Sequence, residues 1–389
     1  MDTTQTTQTT LNIPETQPIS APRVMAAPKS LDIAITGRCN LACKYCFYAD
    51  EMVALRDLPT ERWLAFFAEL GGLAVQHVTL TGGEAFTRPD FWELVDGVIA
   101  NKLRYGILSN GTLITEATLA EFAKGKRRLR LNSIQVSMDG SRAEIHDASR
   151  PNSFERALRG LRLLVEAQFP VTVRVTVNRR NLNDLEAIAK LLLEDVGLRS
   201  FSTNEAYSCG AATSNAESML LTPREREQAM RTLAMLAERY EGRIGASAGP
   251  LAYAKEFQRI EEALARGETG FPGRGRLVGC GGMWSKLDIL HDGTIVPCHN
   301  LSDLRLGVIG EDDFQQVWLT HPVMVALRQR REILLESLET CRGCLYQGFC
   351  TGGCPMGALD TYGDLNARNP MNCYRVLKGI DPHFVIPEG

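Results

Sequence analysis

The sequence predicts an α/β fold, a partial open barrel of six strand–helix units followed by a compact cysteine-rich unit with a β-hairpin and helices. Three observations lead there. Six short apolar runs alternate with amphipathic helical patterns between Leu31 and about Ser208. Chemically distinctive residues stand just after several of those runs. The cysteines gather at the two ends of the chain, three near the front and seven from Cys280 onward. The 389 residues, 44% hydrophobic and 23% charged, suffice for one large domain and a smaller one around a packed core.

Residues 1–29 are rich in Thr, Gln and Pro and read as a disordered tail. Residues 30–222 form the barrel unit, with strands expected at Leu31–Thr36, Val75–Leu80, Arg104–Ser109, Ile134–Met138, Val171–Val177 and Arg199–Thr203. Helical spacing puts Trp63, Phe66, Phe67 and Leu70 on one face, and Phe91, Leu94, Val95 and Val98 on another. Phe154, Leu158, Leu161 and Val165 make a third stripe, with Arg156, Arg159 and Arg162 turned away. These stripes read as core packing. Six units are fewer than a closed eight-fold barrel, hence a partial one. Residues 223–275 read as two linking helices and a Gly-rich loop, Gly270–Gly275. Residues 276–389 open with a hairpin at Asp292-Gly293, and a helix carrying Phe314, Val317 and Trp318 follows.

Several function classes are disfavoured. The net charge of −3 and the lack of a long basic block argue against nucleic acid. No apolar run reaches membrane-spanning length. The front segment lacks an apolar signal core, so a cytoplasmic location is expected, where eleven cysteines point to metal rather than disulfides. Parallel sheets bind ligands at the carboxyl ends of their strands, and Cys39, Gly82, Asn110 and Asp139 all fall on that rim.

Cys39, Cys43 and Cys46 are spaced C-x3-C-x2-C. Three thiolates can hold three irons of a [4Fe-4S] cluster and leave the fourth open. Zinc is the alternative, although its usual spacing is two close pairs. Thr81-Gly82-Gly83-Glu84 closes the second strand with glycines that admit a close ligand and a carboxylate. Together these residues resemble the radical S-adenosylmethionine (SAM) family. The resemblance implies that the open iron chelates SAM, that Gly82, Gly83 and Glu84 meet its amino group, and that Tyr45 flanks the adenine. It further implies that Ser137 and Asp139 meet the ribose, and it makes Arg150 and Arg174 candidates for the SAM carboxylate. A turn role stands beside the ligand role for Asp139-Gly140 and for Asn110-Gly111, and an ion-pair role beside it for both arginines.

The back third holds Cys280, Cys298, Cys341, Cys344, Cys350, Cys354 and Cys373. Their spacing resembles the SPASM extension of radical SAM enzymes, which holds two auxiliary Fe–S clusters. The resemblance implies a distal cluster on Cys341, Cys344, Cys350 and Cys373 and an inner one on Cys280, Cys298 and Cys354. Gly273-Arg274-Gly275-Arg276 carries no thiol where some relatives place a fourth inner ligand. Cys209 is a small buried thiol, a fourth inner ligand or a hydrogen-atom donor. His299 follows Cys298 where sulfatase-maturing relatives have an Asp base, and it is a base or a group that supports the cluster.

The resemblance implies an enzyme that generates a 5′-deoxyadenosyl radical and oxidatively modifies a ribosomally made precursor peptide, by crosslinking or by backbone splicing. Its local wording is most similar to maturases acting on Nif11-type leaders. Implied partners are the precursor peptide, a separate leader-recognition protein and a reductant such as flavodoxin or ferredoxin. Only about thirty residues precede the first strand, too few for a recognition domain. A small-molecule dehydrogenase, a formylglycine maturase of sulfatases and a bare Fe–S electron carrier are the alternatives.

Overall fold

A computed structural model describes residues 24–277 and 280–383. Six parallel strands run in sequence order across the sheet: β1 (Ser30–Thr36), β2 (His77–Gly82), β3 (Arg104–Ser109), β4 (Leu131–Ser137), β5 (Val171–Val177) and β6 (Phe201–Glu205). They match the six apolar runs, with ends shifted by a few residues. Leu31, Ile33 and Ile35 of β1 are fully buried, as are Val78, Leu80, Ile134, Val136, Val173 and Val175. Helices cover the outer face. Trp63, Phe66, Phe67 and Leu70 of Thr60–Gly72 and Phe91, Leu94, Val95 and Val98 of Phe91–Ala100 are buried as the spacing predicts. In Phe154–Glu166 the buried stripe runs through Leu164, with Val165 only half-buried, and the three arginines are exposed.

The sheet does not end with these six strands. Between the helices Pro223–Arg239 and Pro250–Ala265 lies β7 (Ile244–Ala246), which pairs parallel to β6 with Ile244 opposite Phe201. Three residues are too few to show a period, so the sequence pattern there shows only the helices. The first of these helices begins with a capping box, in which Thr222 Oγ1 accepts from Glu225 N–H at 3.2 Å and Glu225 Oε2 accepts from Thr222 N–H at 2.7 Å.

The cysteine-rich unit continues the same sheet on its other side. β8 (Lys286–Ile289) pairs parallel to β1, with Leu31 opposite Leu287 and Ile33 opposite Ile289. An open barrel exposes the hydrogen-bonding edge of β1, and apolar Leu287 and Ile289, both fully buried, cover it. β9 (Thr294–Val296) returns antiparallel through the Asp292-Gly293 turn, and β10 (Gly307–Val308) completes a ten-stranded sheet. Gly293 has φ +92°, and Asp292 Oδ1 accepts from Thr294 N–H at 2.9 Å, so the turn chemistry is local. The helix Phe314–Thr320 buries Phe314, Val317 and Trp318.

Residues 1–23 of the expected tail lie outside the described residues. Residues 24–29 are tied to the back of the chain. Trp318 Nε1 donates to Met25 O at 2.8 Å, Lys29 N–H donates to Ser285 O at 2.8 Å, and Ala27 is buried.

Candidate active site

The loop after β1 carries Cys39, Cys43 and Cys46, all partly exposed at the carboxyl rim. Its start is pinned by Asp57, which accepts from Thr36 Oγ1 and Gly37 N–H, each at 2.7 Å. Its end is pinned by Tyr48, whose hydroxyl lies 2.8 Å from His291 Nδ1 beyond β8. Burial pushes the Cys39 thiol up to about 11 and the Cys46 thiol up to about 12. It also raises Cys43, against the opposing pull of Arg150. Such thiols give up their protons to a bound cation, so the donor set suits iron. Among the described residues no three His, Cys, Asp or Glu side chains converge tightly enough for a single ion. A cubane holds its thiolates further apart, one per iron.

The glycines at the end of β2 bring this loop against the sheet. Gly83 N–H donates to Thr36 O and Glu84 N–H to Arg38 O, each at 2.8 Å. A Cβ on Gly83 would lie 2.3 Å from Arg38 O and 3.0 Å from Cys39 Cβ, so no larger residue fits between them. Glu84 is buried, and burial raises its carboxyl. Its Oε1 accepts from Ser109 Oγ at 2.9 Å and its Oε2 from Asn110 N–H at 2.7 Å. The Asn110 side chain donates to Asn40 Oδ1 at 2.9 Å, beside Cys39. Asn110 therefore stands as a brace between Glu84 and the cysteine loop.

Asp139 departs from the ribose role that the resemblance implies. It is fully buried and both its oxygens are engaged. Oδ1 accepts from Thr176 N–H at 2.7 Å, and Oδ2 accepts from the Tyr45 hydroxyl and from Arg150 Nε. Arg150 in turn points Nη1 at Cys43 Sγ, 3.7 Å away, and its guanidinium lies 5.2 Å from the Tyr45 ring centre. Asp139, Tyr45 and Arg150 thus form one unit behind Cys43, and Arg150 already has a carboxylate partner. Strand-end position alone could not show this, because the partner arrives eleven residues later, after the turn at Gly140.

Arg174 is different. It stands opposite Ser137 in the β4–β5 register, and both are part-exposed on the face away from buried Val136 and Val173. Its Nε is buried with no partner, and burial alone lowers its pKa. A guanidinium held near the rim with an unused donor fits the carboxylate of an amino-acid ligand.

The back cysteines sort into two groups. Cys341, Cys344, Cys350 and Cys373 line one cavity. Burial pushes the Cys350 thiol up to about 12, and repulsion from Cys373, Cys341 and Cys344 adds to it. Arg368 Nη1 donates to Cys373 Sγ at 2.8 Å and is held by Asp381 at 2.8 and 3.0 Å. In the second group Cys354 is repelled by Cys280, and Cys298, raised by burial to about 12, by Cys354.

Ala211 N–H donates to Cys46 O at 2.9 Å, which places Cys209 beside the front loop. Burial, followed by repulsion from Asp360 and Asp50, pushes its thiol up to about 11. His299 rests on Asp288, with Nδ1 2.8 Å from Oδ2, and its Nε2 is buried without a partner. Its ring stands edge-on to Tyr48 and Phe47, so it bridges the second group to the front loop. Burial opposes protonation of His299, but the Asp288 carboxylate outweighs it and raises the pKa.

Residues 33–192 match the model of the radical SAM superfamily, and residues 280–345 match SPASM, an iron–sulfur cluster-binding domain. This fold, with cysteine sites at the barrel mouth and behind it, defines a SAM-dependent iron–sulfur protein. The chain therefore carries a radical SAM domain and a SPASM domain. It is 26% identical over 362 residues to a PqqA peptide cyclase of Rhizobium meliloti, covering 91% of this chain and 88% of that protein. It is 28% identical over 360 residues to an AdoMet-dependent heme synthase of Methanosarcina barkeri, covering 90% and 97%. Among solved structures, Streptococcus suis SuiB bound to its precursor peptide SuiA superposes with a TM-score of 0.68 at 16% identity, covering 90% of this chain and 77% of that one.

Proposed function

We propose that this protein is a peptide maturase, oxidatively modifying a ribosomally made precursor by crosslinking or by backbone splicing. The observation that carries the reading is the trio Cys39, Cys43 and Cys46 on the barrel rim together with four back cysteines, Cys341, Cys344, Cys350 and Cys373, lining one cavity. Once loaded, SAM and the front cluster supply a 5′-deoxyadenosyl radical for hydrogen abstraction. The chain's own part is to hold and orient. Cys39, Cys43 and Cys46 ligate the front cluster, Arg150 offsets the charge at Cys43, Gly83 keeps the ligand close, and Arg174 takes the SAM carboxylate. Cys280, Cys298 and Cys354, and separately the distal four, would hold two auxiliary clusters, which would supply an acceptor for the electron that the oxidation releases.

The peptide substrate rests on the likeness to a peptide cyclase along most of both chains, and on the SuiA-bound SuiB fold. The heme synthase likeness is of the same strength and favours a small-molecule substrate as the second reading. The local wording near Cys46 and Cys350 points to a Nif11-type leader, delivered by a separate recognition protein, with flavodoxin or ferredoxin as the reductant in a reducing cytoplasm. In this reading His299, resting on Asp288 next to Cys298, is the base, and Cys209, beside the front loop, is the hydrogen-atom donor.

Anaerobic reconstitution with SAM and dithionite is expected to yield 5′-deoxyadenosine. Co-expression with a candidate precursor peptide is expected to shift that peptide's mass. Cleavage of SAM with intact peptides and a changed porphyrin would sink the peptide reading. Intact clusters with no cleavage at all would leave an electron carrier.

A further inference from the structure

Arg368 is almost wholly buried, and its guanidinium serves two partners. Nη1 carries two hydrogens and meets two acceptors, Asp381 Oδ2 and Cys373 Sγ, each at 2.8 Å. Nη2 donates to Asp381 Oδ1 at 3.0 Å. Asp381 is buried as well, accepts from His383 N–H at 2.8 Å and lies 3.8 Å from Arg375 Nε. A buried arginine and carboxylate neutralise each other through their two-point fork alone. The bond to sulfur is additional to that fork.

The pair is oriented. Cys373 Sγ meets the cation at 2.8 Å and the nearer carboxylate oxygen, Asp381 Oδ2, only at 3.8 Å. The positive end of a neutral pair is therefore turned to the sulfur. Among the described residues no other cysteine sulfur has a side-chain N–H so close. Arg150 Nη1 stands 3.7 Å from Cys43 Sγ, and in the inner group Cys280 Sγ accepts from the backbone N–H of Gly282 at 3.4 Å. The distal group has a backbone donor of its own, Gly352 N–H on Cys350 Sγ at 3.3 Å. Its four cysteines line one cavity together with Arg368, a donor set with one thiolate for each iron of a cubane.

We propose that Arg368 sets the reduction potential of the distal auxiliary cluster, donating to the Cys373 sulfur from an ion pair whose cationic end is turned inward, and so favours the reduced form of that cluster. The reduced form carries one more negative charge, and N–H donors at its sulfurs stabilise that charge. Asp381 aims the guanidinium and tempers its charge. Arg368 is thus a positioning residue that acts through Cys373. This rests on the reading that Cys341, Cys344, Cys350 and Cys373 hold a cluster.

The test uses the full chain, reconstituted anaerobically, as wild type, Arg368→Met, Arg368→Lys, Asp381→Asn and Cys350→Ala. Iron is counted, and cluster potentials are read by redox titration under electron paramagnetic resonance. The distal signal is the one that Cys350→Ala removes. Arg368→Met is expected to move that signal to more negative potential while the other signals stay, and Arg368→Lys moves it less. Asp381→Asn leaves the cation uncompensated beside the sulfur and is expected to move the same signal to more positive potential. Opposite shifts in Arg368→Met and Asp381→Asn support the proposal. Shifts of one sign, or an unmoved signal in either, overturn it, because both substitutions break the same buried pair and a purely structural role treats them alike. Should one of these variants lose the distal iron, the remaining ones decide by the same signs. Loss of that iron in all three overturns the proposal and leaves the pair a clamp for assembly. Wild type holding only about four irons would instead remove the auxiliary-cluster reading itself, and the proposal with it.

Discussion

Arg150 couples Asp139 to Cys43, with its Nε on the buried carboxylate and its Nη1 3.7 Å from the sulfur. A fully buried carboxylate thus orients a cation against the middle cysteine of the front motif. Replacing Arg150 with Met strands Asp139, and breaking such a buried pair costs about 3–5 kcal/mol. Arg150→Met is expected to melt well below wild type and to lower SAM cleavage about 10–100-fold, as loss of support behind a metal ligand does. Arg150→Lys keeps the charge and is expected to recover part of both. Melting curves and 5′-deoxyadenosine yield check this, and wild-type values in Arg150→Met would refute it.

Acid sensitivity should arise one turn away. His146 Nδ1 accepts from Asp139 N–H at 3.1 Å, and Nε2 lies 3.0 Å from Ser153 Oγ. Burial lowers its pKa to about 4 from the ordinary 6.5. The unfolded chain therefore binds a proton between those values that the folded chain refuses, and stability falls as pH drops through that window. The loss approaches about 3 kcal/mol at its lower end. His146→Gln is expected to flatten this part of the stability–pH curve, measured by urea unfolding between pH 7 and pH 4. An unchanged slope would show that other groups carry the acid sensitivity.

Much of this was legible in the chain. The six barrel strands were visible because buried parallel strands read as dense apolar runs, and the front and back cysteines because ligand spacing is fixed by chemistry. What stayed hidden depends on distant partners. β7 is too short to show a period, and β8 reaches β1 across more than 250 residues, where Lys286 meets Asp32. Asp139 showed its place at a strand end but not that Arg150 and Tyr45 would consume its oxygens. Arg330 sat in a charged run, Arg328-Gln329-Arg330-Arg331-Glu332, that reads as solvated surface, yet two of its arginines are buried.

Arg174 gives a binding prediction separable from cluster loading. Its Nε has no partner among the described residues, so Arg174→Met removes no bond seen there and is expected to leave the melting temperature level or slightly raised. A charge-assisted bond to the SAM carboxylate is worth about 1.5–3 kcal/mol, so SAM affinity is expected to fall about 10–100-fold at unchanged iron. Isothermal titration with SAM under anaerobic conditions reads this directly. Unaltered affinity would move the carboxylate contact elsewhere on the rim.

Cys350 separates radical generation from product formation. It lines one cavity with Cys341, Cys344 and Cys373, so Cys350→Ala alters the proposed distal group alone. The proposed front-loop chemistry rests on Cys39, Cys43, Cys46 and Glu84, none of which lines this cavity. Iron in Cys350→Ala is therefore expected to fall from about twelve toward about eight per chain. SAM cleavage should persist while modified peptide disappears, because the substrate radical loses its route for the departing electron. Cys43→Ala is the complement, expected to abolish SAM cleavage while keeping the back iron. Retention of modified peptide in Cys350→Ala at reduced iron would mean that the electron leaves without the distal cluster, and the inner group alone would then serve as acceptor.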